Sequence, residues 1–254
     1  MNVPLRVPDT AVAALARAGA PAYSRRHMLA RLDHIRNWIF DLDNTLYPAR
    51  ADLFARIDRR MTAYIARLLD VGDDEARRIQ KQYFHGHGTT LAGLMADHDV
   101  DPHAFLADVH DIEMDVLEEN APLAAALARL PGRKIVFTNG DAPYALKVLS
   151  RLGLGGSFEG VHDIHAMNLV PKPAASAYAG LCAAFGIDPA ASLFADDMAR
   201  NLAPAKAIGM TTLWVDNGSE QGPEPQSQSQ SRRDHIDFTT DDVAAWLLDI
   251  LEDA

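Results

Sequence analysis

Apolar residues change their rhythm along this chain, and the changes mark out its parts. Trp38, Ile39 and Phe40 form a continuous apolar run, which reads as a buried strand over about Arg36 to Asp43. Beyond Pro48 the period lengthens. Leu53, Ile57, Met61, Tyr64, Ile65 and Leu68 recur at helical spacing. A second helix is predicted over "DDEARRIQKQYF" with Asp73 as its cap, and a third over "TTLAGLMADH". A fourth covers "DPHAFLADVHDI", with Asp101 as cap and Pro102 at the first helical position. The acidic stretch "DIEMDVLEEN" reads as a solvated helix face. No strand pattern interrupts this block, so residues 48–131 are expected to form an all-helical unit.

From Arg133 onward strands and helices alternate: "KIVFTNG", "PYALKVLSRLG", "GSFEGVHDIH", "AASAYAGLCAAFG", "ASLFADD", "LAPAKAIG" and "MTTLWVDNG". Alternation of this kind predicts an α/β fold with a doubly wound parallel sheet. The first strand precedes the helical block, so the block is an insertion. The core domain then comprises residues 34–47 and 132–254, after an N-terminal extension over 1–33. Residues 218–234 repeat Ser-Gln without a large apolar side chain and read as a disordered loop within the core. Val243, Trp246, Leu247, Ile250 and Leu251 fall at i, i+3, i+4, i+7 and i+8, predicting a terminal amphipathic helix packed back on the core.

Composition narrows the class. A net charge of −11 argues against a nucleic acid polymer or an anionic membrane as partner. No segment approaches the length of a membrane span, and the N-terminal arginines lack the h-region of a secretory signal, so a cytoplasmic location is expected. The single Cys182, in an apolar helical stretch, excludes an intrachain disulfide framework and reads as a buried small residue. Trp38, Trp214 and Trp246 read as core. No feature specifies an oligomeric state.

The candidate chemistry lies at three strand ends: Asp41 with Asp43, Thr138 with Asn139, and Asp196 with Asp197. Ligands bind at the carboxyl ends of open parallel sheets, so these ends can converge on one crevice. Asp41 and Asp43 project the same way if the strand stays extended through both, and two like charges held together need a cation or a reaction to use them. Lys172, between Pro171 and Pro173, adds a cation. Carboxylates, a hydroxyl–amide pair and a lysine describe a site for Mg²⁺ and a phosphoryl group. His85 and His87 lack a third ligand at metal spacing and read as solvent or substrate contacts.

The motifs "DLDNTLY", "FTNG", the lysine of "PKP" and "FADDMARN" stand in the order of the four motifs of the haloacid dehalogenase superfamily, which the chain resembles from about Trp38 to Asp216. The resemblance implies a Rossmann-like core, and a helical cap over the site matching the inserted block. It implies that Asp41 is the nucleophile that forms an aspartyl phosphate, and that Asp43 is the general acid and base. Thr138 and Lys172 would steady the transferring phosphoryl group. Mg²⁺ would be held by Asp41, the Asp43 carbonyl and Asp196, with Asp197 and Asn201 acting around it.

Dehalogenating members lack an acid at the Asp43 position, because halide departs without a proton, so the resemblance favours a phosphatase. "FDLDNTLYP", "YFHGHGTTLAGLM" and "FTNGDAPYA" further resemble the pyrimidine 5′-nucleotidase branch, implying a small-molecule phosphomonoester, a pyrimidine nucleoside monophosphate such as UMP or CMP. Tyr47, Tyr83, His87, Thr89 and Asn139 are the expected substrate contacts. A phosphatase of sugar phosphates or phosphoglycolate, a phosphomutase, and a catalytically silent binding module stay open as alternatives.

Overall fold

Residues 32–219 and 234–252 are described in a computed structural model of the chain. Nearly all of the N-terminal extension (1–31) and the Ser-Gln segment (220–233) lie outside the described residues.

Six strands form one sheet: β1 (Asn37–Phe40), β2 (Arg133–Phe137), β3 (Gly160–His162), β4 (Ser192–Asp196), β5 (Thr211–Val215) and β6 (Phe238–Thr240). Their order is β3-β2-β1-β4-β5-β6, and every neighbouring pair runs parallel. This is the expected doubly wound, Rossmann-like α/β sheet. β1 pairs with both β2 and β4, with Phe40 opposite Val136 on one side and Ala195 on the other. The order therefore reverses at β1, which puts a crevice at the carboxyl ends of β1 and β4. β6 escapes the sequence pattern because it is a three-residue edge strand, held by its pairing with β5.

β1 is shorter than the pattern suggests. The chain turns after Phe40, with Leu46 N–H donating to the Leu42 carbonyl at 3.0 Å and Asn44 at a φ of 58°. Asp41 and Asp43 consequently do not share a strand face.

Between β1 and β2 lie α1 (Leu53–Leu69), α2 (Asp73–His87), α3 (Thr90–His98), α4 (Pro102–Val109) and α5 (Ala121–Arg129). α1 packs on α2 and α4, and α2 on α3. Gln80, buried inside α2, ties it to α1 by donating to Asp58 at 2.8 Å and accepting from Thr62 at 2.6 Å. The α2–α3 contact is close: a Cβ on Gly93 would stand 2.3 Å from the Tyr83 ring. α5 instead packs on α9 (Val243–Leu251), the C-terminal amphipathic helix.

The segment 111–120, read from sequence as an acidic helix face, is not helical and buries Met114 and Leu117. Side chains claim its carbonyls: Arg56 donates to Glu113 O at 2.8 Å and Arg151 to Leu117 O at 3.3 Å. The remaining helices, α6 (Ala142–Arg151), α7 (Ala175–Phe185) and α8 (Ala199–Ala207), connect successive core strands. Trp38 and Trp246 are buried in the core as expected, while Trp214 and Cys182 are partly buried against it.

Candidate active site

The acids of β1 and β4 meet where the sheet reverses. Asp41 follows β1, its backbone N–H donating to Ala195 O at 2.8 Å, so its carboxylate emerges beside Asp196 at the end of β4. Lys172 joins them. Its ammonium is 1% exposed and donates to Asp41 Oδ1 at 2.7 Å, Asp196 Oδ2 at 2.8 Å and the Phe137 carbonyl at 2.8 Å. It lies over the Phe137 and Phe194 rings, 5.0 and 5.2 Å from their centroids. All three donor positions of the ammonium are thus satisfied in a low-dielectric setting.

Asn139 places this lysine. Its amide oxygen accepts Lys172 N–H at 2.9 Å, and its NH₂ donates to Lys172 O at 3.2 Å, so the β2 loop and the lysine loop are clamped together. The neighbouring Thr138 is 1% exposed and accepts the Gly140 N–H at 3.0 Å.

Asp196 is wholly buried and held by its neighbours. Met198 N–H donates to Oδ1 at 2.8 Å, and the Asn201 NH₂ lies 3.0 Å from both carboxylate oxygens. Asn201 Oδ1 is buried without a partner. Thr45, unremarked in the sequence, links both acid loops: its hydroxyl donates to Asp41 Oδ2 at 3.2 Å and accepts Asp197 N–H at 3.1 Å.

Carboxylate oxygens of Asp41, Asp196 and Asp197 lie within 4.8 Å of one another. Burial foremost raises Asp41; the Lys172 charge pulls against this, while Asp196 and Asp43 push further, and the carboxyl ends at about 7. Burial, Asp41 and Asp196 likewise hold Asp197 well above the usual carboxylate range. On Lys172 burial acts downward, but Asp196 and Asp41 outweigh it and raise the ammonium. Three hard carboxylates against one ammonium leave the cluster short of positive charge. Such a donor set fits a hard divalent cation. Asp197, expected around the ion, lies within this cluster beside the two acids expected to hold it.

Asp43 stands apart from that cluster. Its Oδ1 accepts two phenol hydroxyls, Tyr47 and Tyr144, each at 2.6 Å. Tyr47, expected against a base or ribose, is buried and spends its hydroxyl here. Tyr144 is missed by motif reading, although its place is set locally: Asp141 caps α6 and accepts Tyr144 N–H at 3.2 Å.

Of the other expected contacts, Tyr83 is buried toward α3 with its hydroxyl 2.7 Å from His98 Nε2. Thr89 accepts Ala92 N–H at 3.1 Å as the cap of α3, and His87 is exposed. The end of α2 nonetheless reaches the core. Arg200 of α8 lies over the Phe84 ring at 4.4 Å and donates to Gly88 O at 3.4 Å.

Among the described residues no helix is long and apolar enough to cross a membrane. Phosphate metabolism protein 8 of Saccharomyces cerevisiae is 24% identical over 190 residues, covering 68% of this chain and 59% of that protein. The chain thus spans about three fifths of that relative's length. The fold matches a HAD phosphatase from Thermococcus onnurineus with a TM-score of 0.56 at 18% identity, over 85% of this chain and 98% of that one. It also matches L-2-haloacid dehalogenase from Xanthobacter autotrophicus with chloropropionic acid covalently bound, with a TM-score of 0.51 at 17% identity, over 84% and 97%. At these identities the likeness is one of fold. The haloacid dehalogenase-like hydrolase family matches residues 35–209, through β1, the helical insertion, Lys172 and β4, and to that family of hydrolases the chain belongs.

Proposed function

We propose that the protein is a Mg²⁺-dependent phosphomonoesterase acting on pyrimidine nucleoside 5′-monophosphates through an aspartyl phosphate. Within the expected 48–131 insertion, residues 48–109 serve as its cap, since α5 packs on α9 instead, and the parallel sheet serves as its catalytic core. Asp43 carries this reading. A departing halide needs no proton, whereas the alkoxide of a phosphate ester does, and a carboxyl held by two hydroxyls beside the nucleophile can supply one.

In this mechanism Asp41 attacks phosphorus, forming a carboxylate–phosphorus bond as the ester P–O bond breaks. Asp43 gives its proton to the leaving oxygen. Water then attacks phosphorus, returns a proton to Asp43 and frees Asp41 with inorganic phosphate. Lys172 fixes the orientation of the Asp41 carboxylate and neutralises part of the charge brought together. Thr138 and the backbone N–H groups around it face the transferring phosphoryl oxygens. Asp41, Asp196 and the Asp43 carbonyl would hold Mg²⁺, with Asp197 and Asn201 around it. Bound there, the ion supplies charge stabilisation to the phosphoryl oxygens.

Support for the nucleotide substrate is the cap wording "YFHGHGTTLAGLM", whose Phe84 and Gly88 lie against Arg200 and against Pro171 of the lysine loop. The test is phosphate release with Mg²⁺ across UMP, CMP, dUMP, AMP, GMP, phosphoglycolate and sugar phosphates, with Asp41→Asn alongside. Selective turnover of pyrimidine monophosphates, lost in the variant, is expected. Turnover of sugar phosphates alone would discard the nucleotidase reading, and full activity in Asp41→Asn would discard the mechanism.

A further inference from the structure

We propose that Tyr47 and Tyr144 are positioning residues that choose which oxygen of Asp43 delivers the proton. The inference rests on the phosphomonoesterase reading above. Both hydroxyls converge on one atom, Asp43 Oδ1, at 2.6 Å. A carboxyl oxygen accepting two short hydrogen bonds has no lone pair to spare for a proton of its own. The proton of a neutral Asp43 therefore resides on Oδ2, and the carboxyl plane is fixed by two rigid phenols. An unsupported acid at the end of a turn would spread its proton over both oxygens and several rotamers, and lose orientation at the reacting ester.

The phenols are themselves held. Tyr47 and Tyr144 are 2% and 1% exposed, so neither hydroxyl swings into solvent. Tyr47 lies four residues beyond Asp43, in the turn that follows β1. Tyr144 comes from the other side of the crevice, and three contacts pin it. Asp141 Oδ1 accepts its N–H at 3.2 Å. His110 stacks on its ring at 4.2 Å with an interplanar angle of 16°, and that imidazole is tied to Asp141 Oδ1 at 2.9 Å. Gly140 leaves the space its ring occupies, since a Cβ there would stand 3.3 Å from Tyr144 Cδ1. His110 immediately follows α4, at the start of the segment that returns the chain from the helical insertion to the core. Phenol burial also keeps both hydroxyls protonated and donating: desolvation first, then the Asp43 charge, raises each well above its ordinary value.

In the first step the proton on Asp43 Oδ2 passes to the ester oxygen as the P–O bond breaks. The need for that proton grows with the basicity of the leaving oxygen. The test is a leaving-group series, p-nitrophenyl phosphate, phenyl phosphate and UMP, on the wild type, Tyr144→Phe, Tyr47→Phe and the double variant. Because kcat/KM reports the step in which the ester bond breaks, it isolates this role from the later hydrolysis.

We expect kcat/KM of Tyr144→Phe to fall about threefold with p-nitrophenyl phosphate and about a hundredfold with UMP, within the range general acid catalysis supplies. The double variant should steepen the dependence further. An equal loss across all three esters would show a merely structural role and overturn the proposal, as would no loss in either single variant. Tyr47→Phe serves as the second arm if Tyr144→Phe unfolds. A wild type inert toward all three esters, and toward phosphoglycolate and the sugar phosphates as well, would overturn the phosphomonoesterase reading itself. A wild type that turns them over beside flat variants would overturn only the positioning role.

Discussion

Replacing Lys172 with Met removes one ammonium and keeps the length of the side chain. Three hydrogen bonds vanish, to Asp41 at 2.7 Å, Asp196 at 2.8 Å and the Phe137 carbonyl at 2.8 Å. The thioether keeps an apolar, polarizable group over the Phe137 and Phe194 rings, so lost packing is a minor part of the cost. The main cost is two buried carboxylates left without their counter-ion, about 3–5 kcal/mol for a broken buried pair. For a chain of this size that is a fall of about 10 °C in Tm.

The pH dependence gives the loss a signature. Asp41 has a folded value of about 7 against an ordinary 3.8, so the folded protein binds this proton more tightly than the unfolded chain. Stability from this group is therefore lost as pH rises from about 4 to about 7 and is level above. Lys172 pulls Asp41 downward, so without it the same loss continues past pH 7. The deficit of Lys172→Met should widen between pH 7 and pH 9. Thermal unfolding across pH 6–9, followed by circular dichroism, measures it. A Tm within 2 °C of wild type, or a deficit that narrows with rising pH, would refute the reasoning.

Added Mg²⁺ should raise Tm by an amount that grows from pH 4 to about pH 7 and then levels, because the ion competes with the proton Asp41 holds. At a hundredfold excess over Kd the gain is about 3 kcal/mol, and a gain independent of pH would count against binding at this cluster. Gly93→Ala places a Cβ 2.3 Å from Tyr83 and should force α2 and α3 apart, costing about 1–3 kcal/mol as overpacking; unchanged urea unfolding would show that the contact yields freely.

Much of this site is legible in sequence because its parts are local. The runs before Asp41 and Asp196 identify buried strands, and their final residues mark the crevice without knowledge of the fold. The turn that separates Asp41 from Asp43 is harder to read. It depends on Asn44 at positive φ and on a hydrogen bond closing back to Leu42, whereas alternation alone predicts a shared face. Long-range partners are harder still. Tyr144 reaches Asp43 across 101 residues, and α5 is drawn to α9 by a partner more than a hundred residues on. The segment 111–120 carries an acidic, helix-like composition, yet Arg56 and Arg151 claim its carbonyls from elements distant in sequence. Local patterns locate the reactive acids; the residues that orient them come from elsewhere in the chain.

That division has an energetic basis. Burying Asp41, Asp196 and Asp197 together costs stability that no local pattern recovers, so support must come from outside the strands that carry them. Lys172 supplies charge, and Asn139 locks its backbone in place with both ends of one amide. Thr45 ties the Asp41 loop to the Asp197 loop. Asp43 is exempt from this cluster because the turn directs it toward two neutral phenols. Neutral donors fix the direction of this carboxyl without placing a second charge beside it. The two acids are thus two residues apart and differently held: Asp41 by the Lys172 ammonium, as the proposed nucleophile requires, and Asp43 by two phenols, as the proposed proton donor requires.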